Sequence, residues 1–114
     1  MRKHAIFRPS GPDVVAAADA FRLLGEPTRL RIVWRLRQGP AAVSELAAEA
    51  AANLPAMSQH LAKLRMAGLV RASRQGHRMI YELADDHVGE LVAQALAHVD
   101  HEPEATGRPR AVRP

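Results

Sequence analysis

Asp85, His87, His98 and His101 stand near the end of this 114-residue chain as Asp-x-His, ten residues, His-x-x-His. Carboxylate oxygen and imidazole nitrogen are donors that suit zinc, nickel or cobalt. The segment from Asp85 to Glu102 reads as one helix. His87 and His98, eleven steps apart, then lie about 16 Å from each other on nearly the same face. One helix cannot bring both halves to one ion. Two antiparallel copies can: Asp85 and His87 of one chain would meet His98 and His101 of the other, twice, by two-fold symmetry. The spacing therefore predicts a homodimer with metal at its seam. His98 and His101 are neighbours on adjacent turns. Asp85 and His87 converge only if Asp85 sits at the helix start.

The bulk of the chain narrows the chemistry. Cysteine is absent, which excludes disulfides, thiol catalysis and thiolate metal sites. Any metal is held by nitrogen and oxygen. The length suits one domain with a modest core. No run approaches the roughly 18 apolar residues of a membrane span, and no apolar stretch follows Met1-Arg2-Lys3, so a cytoplasmic protein is expected. A formal net charge of +4 favours nucleic acid or an anionic surface as partner. Part of that charge, Arg108, Arg110 and Arg113, falls in a Pro/Gly-containing tail expected to be disordered over 103–114.

The elements that must position these residues follow from periodicity and punctuation. Residues 1–10 lack a helical period and read as a flexible arm, ahead of one domain over 11–102. Val14–Leu24 reads as a helix with Val15, Ala18, Phe21 and Leu24 on its apolar face, stopped by Gly25. Pro27 suits the first turn of a second helix, Glu26–Arg37, burying Leu30, Ile32, Val33 and Leu36. Trp34 is expected in the core. Ser44 is a good N-cap for a helix over Glu45–Ala51. After a break at Ala52-Asn53-Leu54, Pro55–Ala67 forms the next helix, ended by Gly68. Helix, short turn, helix is the skeleton of a helix-turn-helix, although Ala51 or Ala52 stands where a glycine commonly marks the turn. Leu69–Ser73 and Arg78–Leu83 read as a hairpin joined by Arg74-Gln75-Gly76-His77. The last helix begins at Ala84-Asp85. The fold expected is mainly α with a β-hairpin wing, in the order α-α-α-α-β-β-α: a winged helix-turn-helix, dimerising through its first and last helices. Val88, Leu91, Val92, Ala95 and Leu96 supply an apolar stripe for that pairing.

On Pro55–Ala67 a period of 3.6 turns Met57, Leu61 and Leu64 inward. Ser58, Gln59, Ala62, Lys63 and Met66 lie on other faces. Gln pairs two-point with adenine, Ser is a tolerant donor or acceptor, and Lys suits phosphate or guanine. Ala56 and Ala62 are small enough for close approach to a groove. The candidate DNA-contacting residues are Ala56, Ser58, Gln59, His60 and Lys63, with Arg74, Gln75, His77 and Arg78 from the wing. His60, at the edge of the buried side, is equally well a structural residue. Wing residues of this kind contact phosphates or the minor groove.

Phe21-Arg-Leu-Leu-Gly25, Glu26-Pro-Thr-Arg-Leu-Arg-Ile32, Ser44-Glu-Leu46 and Ser58-Gln-His-Leu-Ala-Lys-Leu-Arg-Met-Ala-Gly-Leu-Val70 resemble the ArsR/SmtB family of metal-responsive transcriptional repressors. The resemblance covers about residues 14–102. Asp85, His87, His98 and His101 resemble that family's zinc site and, more closely, the variant of its nickel/cobalt sensors. It implies a repressor of metal-homeostasis genes, no enzymatic activity, and an operator that is an imperfect palindrome. Nickel or cobalt is the expected cofactor, with zinc as the alternative. Nickel and cobalt take up to six ligands, for which His4, Asp100, Glu102 or water are extra candidates; in the nickel/cobalt members a flexible arm folds over the site, as His4 could. A metal-independent regulator, or one needing a co-regulatory protein, stays open. A metallohydrolase would need a base beside an open metal position, and neither an HExxH pattern nor a second carboxylate cluster is present. A metal buffer would not need the basic helix and wing.

Overall fold

A computed structural model describes residues 8–106 of the chain, with side chains through Asp100. His4 and the segment 107–114 lie outside the described residues, and so do the side chains of His101 and Glu102. Five helices and three short strands follow in order: α1 Gly11–Leu24, α2 Pro27–Leu36, β1 Ala41–Ala42, α3 Val43–Glu49, α4 Leu54–Met66, β2 Val70–Gln75, β3 Arg78–Leu83 and α5 Asp86–Thr106.

The helix starts are set by side-chain caps, and several differ from expectation for that reason. α1 begins three residues early because Ser10 Oγ accepts the Asp13 N–H at 3.1 Å. α3 starts at Val43, so Ser44 lies inside the helix rather than capping it. Glu45 does the work instead, its Oε1 accepting the Ala42 N–H at 2.8 Å. This is the carboxylate half of a capping box, with an alanine where the hydroxyl half belongs. Asn53 caps α4, accepting the Ala56 N–H at 2.8 Å. Between α3 and α4 the chain turns through Ala51 at φ 53°. An alanine there takes the left-handed conformation that glycine adopts without strain.

The sheet has the order β1-β3-β2 and is antiparallel throughout. β2 runs on to Gln75, opposite Arg78, so the wing turns through two residues, Gly76 and His77. Gly76 supplies the positive φ, 65°, that so tight a turn requires. β1, two residues long, pairs Ala41 with Tyr81 and Ala42 with Ile80. It was not expected, because two alanines carry no strand signal; it forms where the chain entering α3 passes the free edge of β3.

One core joins all five helices. Met57, Leu61 and Leu64 of α4 are fully buried and pack with Ile32, Val33 and Leu36 of α2, Leu46 of α3, Val70 of β2 and Val88 and Val92 of α5. α5 lies close over α2 and β3 at Gly89, where a Cβ would stand 2.9 Å from Arg37 Cγ and 3.1 Å from Leu83 Cδ1. The apolar faces divide between core and surface, and the expectations for Trp34 and for α5 are corrected. α1 buries only Leu24; Val15 and Phe21 are 62% and 60% exposed, because the helix leans on the protomer at its C-terminal end alone. Trp34 is not in the core: with Ile32 and Val33 inward, its position faces out, and the Arg37 guanidinium sits 4.9 Å above its ring. The α5 stripe divides, with Val88 and Val92 buried in their own protomer and Leu91, Ala95 and Leu96 left exposed.

Two carboxylates titrate low. Partial burial pushes the Glu26 carboxyl up, but the N–H of Arg29 and the charges of His60 and Arg29 together outweigh it. The Ala42 N–H holds Glu45 below its ordinary range, against slight desolvation and helped by Arg78. A carboxylate whose pKa is depressed by folding stabilises the fold above its unfolded value and loses that contribution as pH falls through the folded one. Acid stability should therefore fall below the ordinary glutamate value of 4.5. A Glu26→Gln/Glu45→Gln variant, which keeps an acceptor oxygen, should show a flatter thermal midpoint against pH in that range. By urea denaturation, Asn53→Ala should cost about 1 kcal/mol, and Ala51→Gly should stabilise by about 0.5–1 kcal/mol, the relief of left-handed strain less the glycine entropy.

Candidate functional site

Burial of Met57, Leu61 and Leu64 fixes the rotation of α4 about its axis. Ala56, Ser58, Gln59, Ala62, Lys63 and Met66 are all exposed as a result. His60 differs. It is half-buried, with Nδ1 3.3 Å from Arg29 Nη1 and 3.7 Å from Glu26 Oε1, and so is turned toward the start of α2. Arg29 also donates through Nε to the Leu23 carbonyl at 2.8 Å. The His60–Arg29–Glu26 group thus ties the α1–α2 corner to α4. Sequence reading missed Arg29 and Glu26 here; Glu26 ahead of Pro27 is a cap signal, but nothing local points Arg29 at His60, 31 positions away.

The wing carries its charges in two ways. Arg78 Nη2 lies 3.4 Å from Glu45 Oε2, which links the wing to α3. Arg74, Gln75 and His77 are exposed, and the Arg74 guanidinium takes no partner among the described residues. At the base of the wing, Arg71 donates to the Ala84 carbonyl at 3.0 Å and to Glu82 at 3.2 Å. The first bond joins β2 to the segment that leads into α5, and the second crosses to the paired strand β3.

At that segment Asp85 immediately precedes α5. Its Oδ1 accepts the N–H of His87 at 2.9 Å and of Val88 at 3.3 Å. Asp85 is therefore the N-cap, and capping uses one carboxylate oxygen; among the described residues Oδ2 accepts no hydrogen bond. His87 and His98 are exposed, and neither ring has a partner among the described residues. Both lie on one helix within about 20° of the same azimuth and about 16 Å apart. No group of three or more His, Cys, Asp or Glu able to hold a metal ion forms among the described residues of one chain. The position of His101 in α5 is described, its side chain is not. Leu91 and Ala95, both exposed, flank the line from His87 to His98. The donors present, oxygen and imidazole nitrogen with free lone pairs and no thiolate, fit zinc, nickel or cobalt.

No helix among the described residues is long and apolar enough to cross a membrane. Residues 24–72 match a family model described as a helix-turn-helix domain. The chain is similar to the HTH-type transcriptional regulator KmtR of Mycobacterium tuberculosis, 39% identical over 84% of this chain and 78% of the relative. It is also similar to the HTH-type transcriptional regulator NmtR of the same organism, 40% identical over 82% of each. Among solved structures, the homodimeric winged helix-turn-helix DNA-binding domain of a possible ArsR-family transcriptional regulator from Mycobacterium bovis superposes with a TM-score of 0.77. That pair is 31% identical over 86% of this chain and 91% of the other. The transcriptional repressor BigR from Xylella fastidiosa gives a TM-score of 0.70, 27% identical over 85% and 94%. With a buried α4 core, a two-stranded wing and these relatives, the chain belongs to the ArsR/SmtB family of winged helix-turn-helix transcriptional regulators, DNA-binding proteins rather than enzymes.

Proposed function

We propose that this regulator acts in the cytoplasm as a homodimeric repressor whose operator binding is weakened by nickel or cobalt at paired sites between the α5 helices. One observation carries the reading. Asp85 Oδ2, His87 and His98 stand open on an exposed helix face, too far apart to meet within one chain. The exposed Val14, Val15 and Phe21 of α1 and Leu91, Leu96 and Val99 of α5 give the pairing its apolar surface. Asp85 and His87 of one copy would share an ion with His98 and His101 of the other, with His4 or Glu102 as added ligands. A bound divalent ion supplies a crosslink between the two chains by accepting those lone pairs.

The chain's own residues do the rest. Ala56, Ser58, Gln59 and Lys63 of each copy enter successive major grooves of an imperfect palindrome. Arg74, Gln75, His77 and Arg78 follow the phosphates, Arg78 braced by Glu45. His60 positions α4 from behind. Drawing the ends of the α5 helices together favours a dimer geometry in which the two α4 helices no longer match the half-sites. The coupling is reciprocal, so DNA weakens metal binding by the factor by which metal weakens DNA binding.

Fluorescence anisotropy with DNA from upstream of the protein's own coding sequence tests this. Nickel or cobalt should lower affinity by about 5–150-fold, with zinc as the comparison ion. His98→Ala/His101→Ala should bind the operator as wild type does and lose the response. Tight binding that no metal alters would overturn the sensor reading and keep the DNA-binding one. Arg74→Gln should weaken every sequence alike and reduce the slope of log K against log salt by about 1.8, one phosphate contact from each copy of the dimer.

A further inference from the structure

The outward face of α4 carries one residue that the operator-binding reading does not use. Met66 is 89% exposed, the most exposed of the large apolar side chains among the described residues, while the other methionine of the helix, Met57, is fully buried. Seven residues make nearly two full turns, so Met66 stands within about 20° of the azimuth of Gln59, with Ala62 between them. It is about 10 Å further along the axis, the rise of three base pairs. Lys63, on the same face, lines one shallow cleft with Met66 and with Arg22, which Asp19 pairs. A flexible thioether side chain adapts to an irregular apolar surface. In the major groove the apolar feature offered by the base edges is the C5-methyl group of thymine.

We propose that Met66 is a sequence-reading residue, packing against a thymine methyl at the edge of each operator half-site. The inference rests on the operator-binding reading, and the occupant of this exposed face follows from its continuity with Gln59, Ala62 and Lys63. Such a contact discriminates thymine from cytosine without a hydrogen bond. It also gives a role to a methionine left in water on a helix whose Met57, Leu61 and Leu64 are fully covered.

The test replaces each thymine of the footprinted operator in turn by deoxyuridine, which removes the methyl and nothing else. Affinities are measured by anisotropy for wild type, Met66→Leu and Met66→Ala, all exposed substitutions that leave the core intact. One thymine per half-site should show a loss of about fourfold in wild type, the worth of one buried methyl. Met66→Leu should keep that loss and Met66→Ala should abolish it. Equal uracil penalties at every position in wild type and Met66→Ala would overturn the role of Met66 while leaving operator binding in place. Failure of the wild type to hold the upstream DNA against mixed-sequence competitor would instead overturn the operator reading itself, and the Met66 role with it.

Discussion

The structure depends on the complete burial of three side chains on one helix. Met57, Leu61 and Leu64 have no exposed surface, and all three belong to the one core that α2, α3, β2 and α5 share. Their burial is a rotational lock. Once those three are inside, the residues at the other azimuths of α4 are outside, in one fixed arrangement, and a chemical surface exists. At about 1.5–3 kcal/mol for each fully buried side chain of this kind, the lock is stronger than any contact the outward face makes with solvent.

The remaining polar contacts are few and sit at corners. Glu26, Arg29 and His60 close the corner between α1, α2 and α4. Glu45 closes the start of α3 and reaches Arg78 on the wing. Arg71 closes the base of the wing on the residue before Asp85. No buried side-chain polar atom among the described residues lacks a hydrogen-bond partner, and at Glu26 and Glu45 those partners outweigh the cost of desolvation. They join elements far apart in sequence: the α1–α2 corner to α4, α3 to the wing, and the wing to the start of α5.

The order of elements, the inward residues of α2 and α4 and the wing were legible because each has a strong local signal: a 3.6 period, a glycine or proline stop, a two-strand alternation. What was illegible depended on competition between neighbours. Ser44 looked like the cap of α3, but Glu45 one residue on reaches the free Ala42 N–H and moves the start to Val43. The α5 residues from Val88 to Leu96 looked like one stripe because a periodic pattern cannot say which partner covers it; the protomer takes Val88 and Val92 and leaves Leu91. Val15 and Phe21 lie on the apolar face of α1, and for the same reason the pattern does not say that the protomer leaves them exposed. At the candidate metal ligands, sequence gave the placement of Asp85 at the helix start. The two bonds to its Oδ1, which leave the other oxygen open, depend on how the chain turns into α5 and carry no signal in residue type or spacing.

The bare backbone of Gly89 has a mechanical meaning. With no Cβ to hold them apart, α5 seats against the Arg37 and Leu83 side chains at distances a larger residue would forbid. The helix is then less a strut bolted to the outside than a spine cast in one piece with α2 and the wing strand β3. Sliding it along its axis would drive the next residues of the spine into the same notch. On the proposed reading, a force applied where two copies meet would turn each subunit whole, as a lever rather than a hinge.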